Sequence, residues 1–161
     1  MKHLTTITYS LLIVSLLSTM SFMPFKKGIS KTVAFKATYS ASREIIDPAP
    51  MLKQRITGVG VSSTLNISKY VAITTQDGST PPPFNVGGTA TFYADNGDVF
   101  YTTFAGTSTP RADGTLSIEM THTIKGGTGA LEHASGSFTG KTNPDPKQSS
   151  ATITFDGKIT Y

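Results

Sequence analysis

The sequence predicts an all-β protein built as a single antiparallel eight-stranded β-barrel. Three observations carry this. Segment after segment alternates apolar and polar residues with a period of two, the signature of a half-buried strand. Clusters of Gly, Pro, Asn and Asp separate those segments at fairly regular spacing. No stretch places apolar residues at helical intervals. Composition agrees: only 15% of the 161 residues are charged, and Thr, Ser and Gly fill the space, as suits pleated, half-exposed surfaces. Eight antiparallel strands that close leave no free edge and an interior wide enough for side chains or one small ligand. A two-sheet sandwich would satisfy the same pattern.

The N-terminus reads as a targeting segment rather than part of the fold. Lys2 and His3 precede 22 uncharged residues, Leu4 to Phe25, with an apolar centre at Leu11–Leu17. This is the layout of a secretory signal peptide over residues 1–25. An uncleaved anchor is the alternative, since the run is long enough to span a bilayer. Thr and Ser scattered through it weaken that alternative, so no stable membrane span is expected after processing. The expected location is secreted or periplasmic. Residues 26–31 form a flexible lead-in, and residues 32–161 form the barrel domain. The chain has no cysteine, so neither disulfides nor thiolate metal sites support it, and its core must suffice. The net charge of +4 is mild and scattered; nucleic acid is not an expected partner.

Within the domain, Thr32 to Ser40 opens with Val33, Phe35, Ala37 and Tyr39 on one face and Lys36 and Thr38 on the other. Ala41 to Gln54 contains Pro48 and Pro50 and is expected to be a loop, with Ile45 and Ile46 plugging one end of the barrel. Arg55 to Leu65 is a second strand. Ile67 to Thr75 is a third, with Ile67, Val71 and Ile73 on one side and Tyr70 and Ala72 on the other. Gln76 to Gly88, with Pro81-Pro82-Pro83, is expected to be a long exposed loop over a barrel mouth. Thr89 to Ala94 and Val99 to Gly106 flank Asp95-Asn96-Gly97-Asp98, and Asn-Gly between two β-rich runs is a strong hairpin signal. After a polar turn over Thr107 to Gly114, Leu116, Ile118, Met120, His122 and Ile124 line one face of a sixth strand. Gly136 to Lys141 is the seventh. A loop over Thr142 to Ser149 leads to the last, where Ile153, Phe155, Ile159 and Tyr161 share a face.

Between the sixth and seventh strands lies the run Gly126-Gly127-Thr128-Gly129-Ala130-Leu131-Glu132-His133-Ala134-Ser135-Gly136, four glycines in eleven residues. Such density marks positive φ or close backbone approach. A phosphate-binding loop would need a Lys-Ser/Thr pair and a following helix. Neither is present, so a structural corner between two strands is the reading the context favours.

The motif carried by Gly126, Gly127, Thr128, Gly129, Ala134 and Gly136 resembles the signature of the allene oxide cyclase and dirigent barrel superfamily, shared with small secreted bacterial proteins. Asp95, Asn96, Gly97 and Asp98 resemble a second feature of those bacterial relatives, where they join two strands. The similarity spans roughly Val33 to Tyr161; it departs at Ala130, Leu131 and His133. The resemblance implies a calycin-like barrel. It also implies two activities: cofactor-free cyclisation of a reactive lipid epoxide, or dirigent-like steering of radical coupling. A homo-oligomer is a further implication.

Few residues offer chemistry. His122 is the one catalytic candidate, an acid or base on the buried face; the competing reading is a core histidine with a satisfied hydrogen bond. With Met120, Tyr101 and Phe155 it forms the candidate ligand-binding set. Phe35, Tyr39, Tyr70, Phe92, Tyr93, Phe100, Tyr101, Phe104 and Phe155 are expected to fill or line the barrel. His133 is expected to be exposed. Asp95 and Asp98 could hold calcium, but Asp and Asn are ordinary turn formers. The histidines lack metal-ligand spacing, and no Gly-x-Ser-x-Gly elbow is present. No metal or cofactor is expected. The favoured function is a non-catalytic binding module for a small apolar molecule or surface component, with the cyclase-like and dirigent-like activities as alternatives.

Overall fold

The structure, a computed structural model, describes residues 30–161. The expected targeting segment and most of the lead-in lie outside the described residues. Eight strands form one closed antiparallel barrel in which each strand pairs with its neighbours in sequence and the last with the first. They are β1 (Thr32–Asp47), β2 (Met51–Ser62), β3 (Ile67–Asp77), β4 (Phe84–Ala94), β5 (Val99–Pro110), β6 (Leu116–Gly127), β7 (Ser135–Thr142) and β8 (Ser150–Thr160). One 3₁₀ turn, Gly129–Leu131, sits between β6 and β7.

Period-2 alternation places the core. On β1, Phe35, Ala37, Tyr39 and Ala41 are buried while Lys36, Thr38 and Ser40 are exposed. On β6, Met120, His122 and Ile124 point in and Glu119, Thr121 and Thr123 point out. On β8, Ile153, Phe155 and Ile159 are buried.

The strands run longer than the sequence suggests. Ala41 to Gln54 is not a loop: β1 continues to Asp47 and β2 begins at Met51, leaving only a three-residue turn at Pro48-Ala49-Pro50. The prolines break the ladder only where the chain reverses. Ile45 and Ile46 do not plug the barrel; they stand exposed at the end of β1, at 58% and 39%. Gln76 to Gly88 likewise shrinks to Gly78–Pro83, because β3 runs to Asp77 and β4 starts at Phe84. In the polar turn after β5, the strand persists to Pro110. Lys31, expected in the flexible lead-in, exchanges backbone hydrogen bonds with Tyr161 at 2.8 and 3.0 Å.

Three register shifts interrupt the ladders; one, between Ile45 and Asp47, falls at the exposed end of β1, and the other two bear on the in–out alternation. Between Ile67 and Lys69 the register against β4 shifts by one residue, so Ser68 is an extra residue in β3. Ile67 therefore points inward together with Tyr70 and Ala72, not with Val71 and Ile73, which are half-buried on the outer side. A second shift lies between Phe100 and Thr102, opposite Gly127 and Ile124. Gly126, at φ +107°, occupies that bulge.

The barrel has two unlike ends. One carries both ends of the described chain, the β2–β3 and β4–β5 turns and the glycine corner. Its interior is packed with rings: Phe35 meets Phe92, Phe100 and Phe138 at centroid distances of 6.1, 5.8 and 4.9 Å. Leu131 of the corner, 2% exposed, closes this end. The other end carries the β1–β2, β3–β4, β5–β6 and β7–β8 connections and is the mouth.

Candidate functional site

The interior at the mouth end is not filled by side chains. A cavity of about 320 Å³ descends from the rim to the middle of the barrel. Its floor is made by Tyr70, Phe104, Met120, His122 and Phe155, all buried. Higher up, Ile56, Ala72, Val86, Ile118 and Ile153 give apolar walls. Gln54, Thr74, Gln76 and Gln148 ring the top. An apolar shaft with a polar rim follows from the strand pattern itself: inward positions are apolar deep in the barrel and turn polar as strands near solvent.

The mouth loops are braced by their own side chains. The Asp77 carboxylate accepts the Ser79 N–H at 2.9 Å and its hydroxyl at 2.6 Å. Asp113 does the same to Thr115 at 2.9 and 2.6 Å. In both, the hydroxyl first and the N–H second hold the carboxyl below its usual range. Arg43 ties the end of β1 to the last mouth loop through the Pro146 carbonyl, and its N–H donates to the Ser149 carbonyl at 2.9 Å.

His122 lies at the centre of the floor. Its ring is sandwiched between Phe104 and Phe138, 4.7 and 4.9 Å away, and meets the edge of Phe155 at 5.2 Å. Its Nδ1 is 3.0 Å from the Thr102 hydroxyl. Its Nε2 is buried with no protein partner, and so is the Tyr70 hydroxyl. Burial pushes the His122 pKa down to about 3, because a charged imidazolium would lose its hydration with no carboxylate beside it. Burial, and secondarily Tyr39, raises the Tyr70 phenol far above its ordinary range. Both groups are neutral hydrogen-bonding groups at physiological pH, so His122 is a core histidine with one nitrogen satisfied and one not.

Of the expected ligand-binding set, His122, Met120 and Phe155 meet in the cavity. Tyr101 does not: it faces outward at 43% exposure. Tyr93 is also outside, at 37%. Each is adjacent in sequence to an inward phenylalanine, Phe92 or Phe100, and neighbouring strand residues face opposite ways. Tyr70 and Phe104, expected as general lining, belong to the cavity floor. Thr102, buried against His122, is a member of the site that the sequence does not single out. Its inward direction follows from Phe100 and Phe104 on either side, but its pairing with His122 depends on the β5–β6 register.

The two glycine- and asparagine-rich motifs prove to be one structural unit. The Asp98 carboxylate accepts the Asn96 side-chain amide at 3.0 Å and the Ala130 N–H at 3.2 Å. Thr128 pairs with Val99 twice, its N–H donating to the Val99 carbonyl at 2.9 Å and its hydroxyl accepting the Val99 N–H at 3.0 Å. Asp95 accepts the Ser68 hydroxyl at 2.5 Å. Gly126, Gly127, Gly129, Ala134 and Gly136 shape the corner around these bonds, at the end opposite the cavity. His133 is exposed there. Among the described residues no group of three His, Asp or Glu side chains could hold a metal ion. Compared with protein-family models, with curated proteins and with solved structures, the chain finds no match in any of the three.

Proposed function

We propose that this chain is an exported small β-barrel that binds a small apolar molecule in its mouth-end cavity and carries out no chemistry on it. The observation that carries the reading is the cavity itself: about 320 Å³ inside a barrel whose other half is tightly packed. That volume lies within the range of small-molecule pockets, which are mostly apolar with a few placed polar groups. A barrel serving only as a scaffold would gain stability by filling this space. His122 supports binding over catalysis, because burial makes it a weak base and no carboxylate stands beside it to orient it. The outward strand positions mix polar residues such as Lys36, Thr38, Glu119 and Thr121 with the exposed Val59, Val61, Tyr93 and Tyr101, while the interior is apolar, unlike the polar lumen of a transmembrane barrel. Export rests on the N-terminal pattern of Lys2, His3 and the apolar run after them.

The test is titration with N-phenyl-1-naphthylamine, an uncharged apolar dye whose emission rises when it leaves water. Saturable one-to-one binding is expected. Met120→Trp, which fills the floor, should abolish it while the far-ultraviolet circular dichroism stays unchanged. Absence of saturable binding, or full binding by a folded Met120→Trp variant, would overturn the reading.

A further inference from the structure

Resting on that reading, a finer one concerns what the cavity selects. Three buried side-chain polar atoms among the described residues lack a partner: the Tyr70 hydroxyl, the Ser108 hydroxyl and His122 Nε2. Two of the three residues, Tyr70 and His122, line the cavity, and each is only 2% exposed. Both rings pack against the same neighbour, Phe155, at 5.5 and 5.2 Å. A buried polar group left unmatched carries a desolvation cost that nothing offsets. Two on the floor of one apolar shaft are therefore a feature that a bound group would repay.

The direction of those bonds follows from Thr102. Its hydroxyl has His122 Nδ1 as its one side-chain partner. If Nδ1 were protonated and donated to Thr102, the threonine proton would have no acceptor and Nε2 would be a bare lone pair. If Thr102 donates to Nδ1 instead, its proton is used and the ring proton sits on Nε2. The second arrangement wastes fewer groups. It leaves Nε2–H as a donor, and the Tyr70 O–H, across Phe155 from it, is a donor as well.

We propose that the cavity selects an uncharged apolar molecule bearing a strong hydrogen-bond acceptor, a ketone or ester carbonyl oxygen, which the His122 Nε2–H and the Tyr70 hydroxyl recognise at the floor. A charged ligand head at that depth would meet no counter-charge, since the floor holds only neutral groups. A hydrocarbon of the same shape would leave both donors unmatched.

The test uses the full chain carrying ¹⁵N-labelled histidine, with benzophenone as the carbonyl probe and diphenylmethane as its hydrocarbon counterpart. Long-range ¹H–¹⁵N correlation of the free protein should show His122 protonated at Nε2 and bare at Nδ1. Benzophenone should bind roughly tenfold tighter than diphenylmethane, the effect of one to two net hydrogen bonds, and should move the Nε2 resonance. Tyr70→Phe keeps the ring and should reduce the preference to about threefold. Equal affinity for the two probes overturns the selectivity while leaving apolar binding intact. Proton occupancy at Nδ1 overturns the donor assignment, and an unchanged preference in Tyr70→Phe overturns the role of that hydroxyl. Failure of both probes, together with the naphthylamine dye, overturns the binding reading beneath it.

Discussion

The Asp98 carboxylate reaches from the β4–β5 turn to the N–H of Ala130, 3.2 Å away in the corner between β6 and β7. Two turns that the sequence separates by some thirty residues are locked together at the closed end of the barrel. Gly129 lies directly beneath this bond, at φ +54°, and a Cβ there would lie 2.0 Å from Asp98 Oδ1.

That arrangement predicts non-additivity. Asp98→Ala should cost about 1 kcal/mol, the net value of the lost hydrogen bonds. Gly129→Ala should cost more, because it adds a clash to the left-handed backbone penalty. Combining them removes the clash, so the double variant should be more stable than the sum by about 1 kcal/mol in urea unfolding. Strict additivity would mean that the turn and the corner relax independently.

At the floor of the cavity, Gly58 of β2 makes room for Tyr70. A Cβ at position 58 would lie 2.0 Å from Tyr70 Cε1, and the ring is held on its other sides by Phe92 and Phe155 at 5.4 and 5.5 Å. Gly58→Ala should therefore destabilise by about 1–3 kcal/mol through overpacking and weaken dye binding by tilting Tyr70. Adding Tyr70→Leu should recover part of the stability. Thermal melts of the three variants check this, and a neutral Gly58→Ala would show that the ring has free space.

His122 predicts a pH dependence whose sign is fixed by its burial. The folded pKa is near 3 against 6.5 for an ordinary histidine. Between those values the unfolded chain binds the proton and the folded chain does not. Stability should then fall as pH drops from about 6.5 toward 3, by up to about 1.4 kcal/mol per pH unit from this group. Carboxylates also titrate there, so the difference between wild type and His122→Phe isolates the histidine. The variant, whose ring fits the same stack between Phe104 and Phe138, should show the shallower decline. Identical slopes would mean that His122 takes up its proton in the folded state.

The packed half and the hollow half should be separable. Phe35 is fully buried among Phe92, Phe100 and Phe138 and touches no part of the cavity. Phe35→Ala should cost about 3–5 kcal/mol, yet dye affinity measured well below its melting temperature should stay within twofold of wild type. A large loss of affinity would show that the aromatic cluster sets the shape of the cavity floor.

Much of this molecule is legible in the sequence, for reasons that also mark where legibility stops. Alternation on β1, β6 and β8 points Phe35, Met120, His122 and Phe155 inward, and Asn96-Gly97 marks the hairpin. Alternation misleads at Ser68, where one inserted residue reverses the faces of β3, and no local pattern announces it. The prolines suggest wider loops than form: Pro48, Pro50 and Pro81–Pro83 interrupt only the reversals, while the strands beside them run to the rim. The aromatic pairs Phe92-Tyr93 and Phe100-Tyr101 could not both point inward, and in each the phenylalanine takes the core. The contact between His122 and Thr102 depends on how β5 slides against β6, a long-range property that single-strand patterns do not carry.

Lys31 and Tyr161 are hydrogen-bonded to each other at the packed end, so both ends of the described chain emerge on the side away from the cavity. Anything joined there, whether an affinity handle, a surface linkage or a neighbouring domain, leaves the opening facing outward and unobstructed. A protein captured by its C-terminus on a sensor surface would present its empty half directly to the flowing solution.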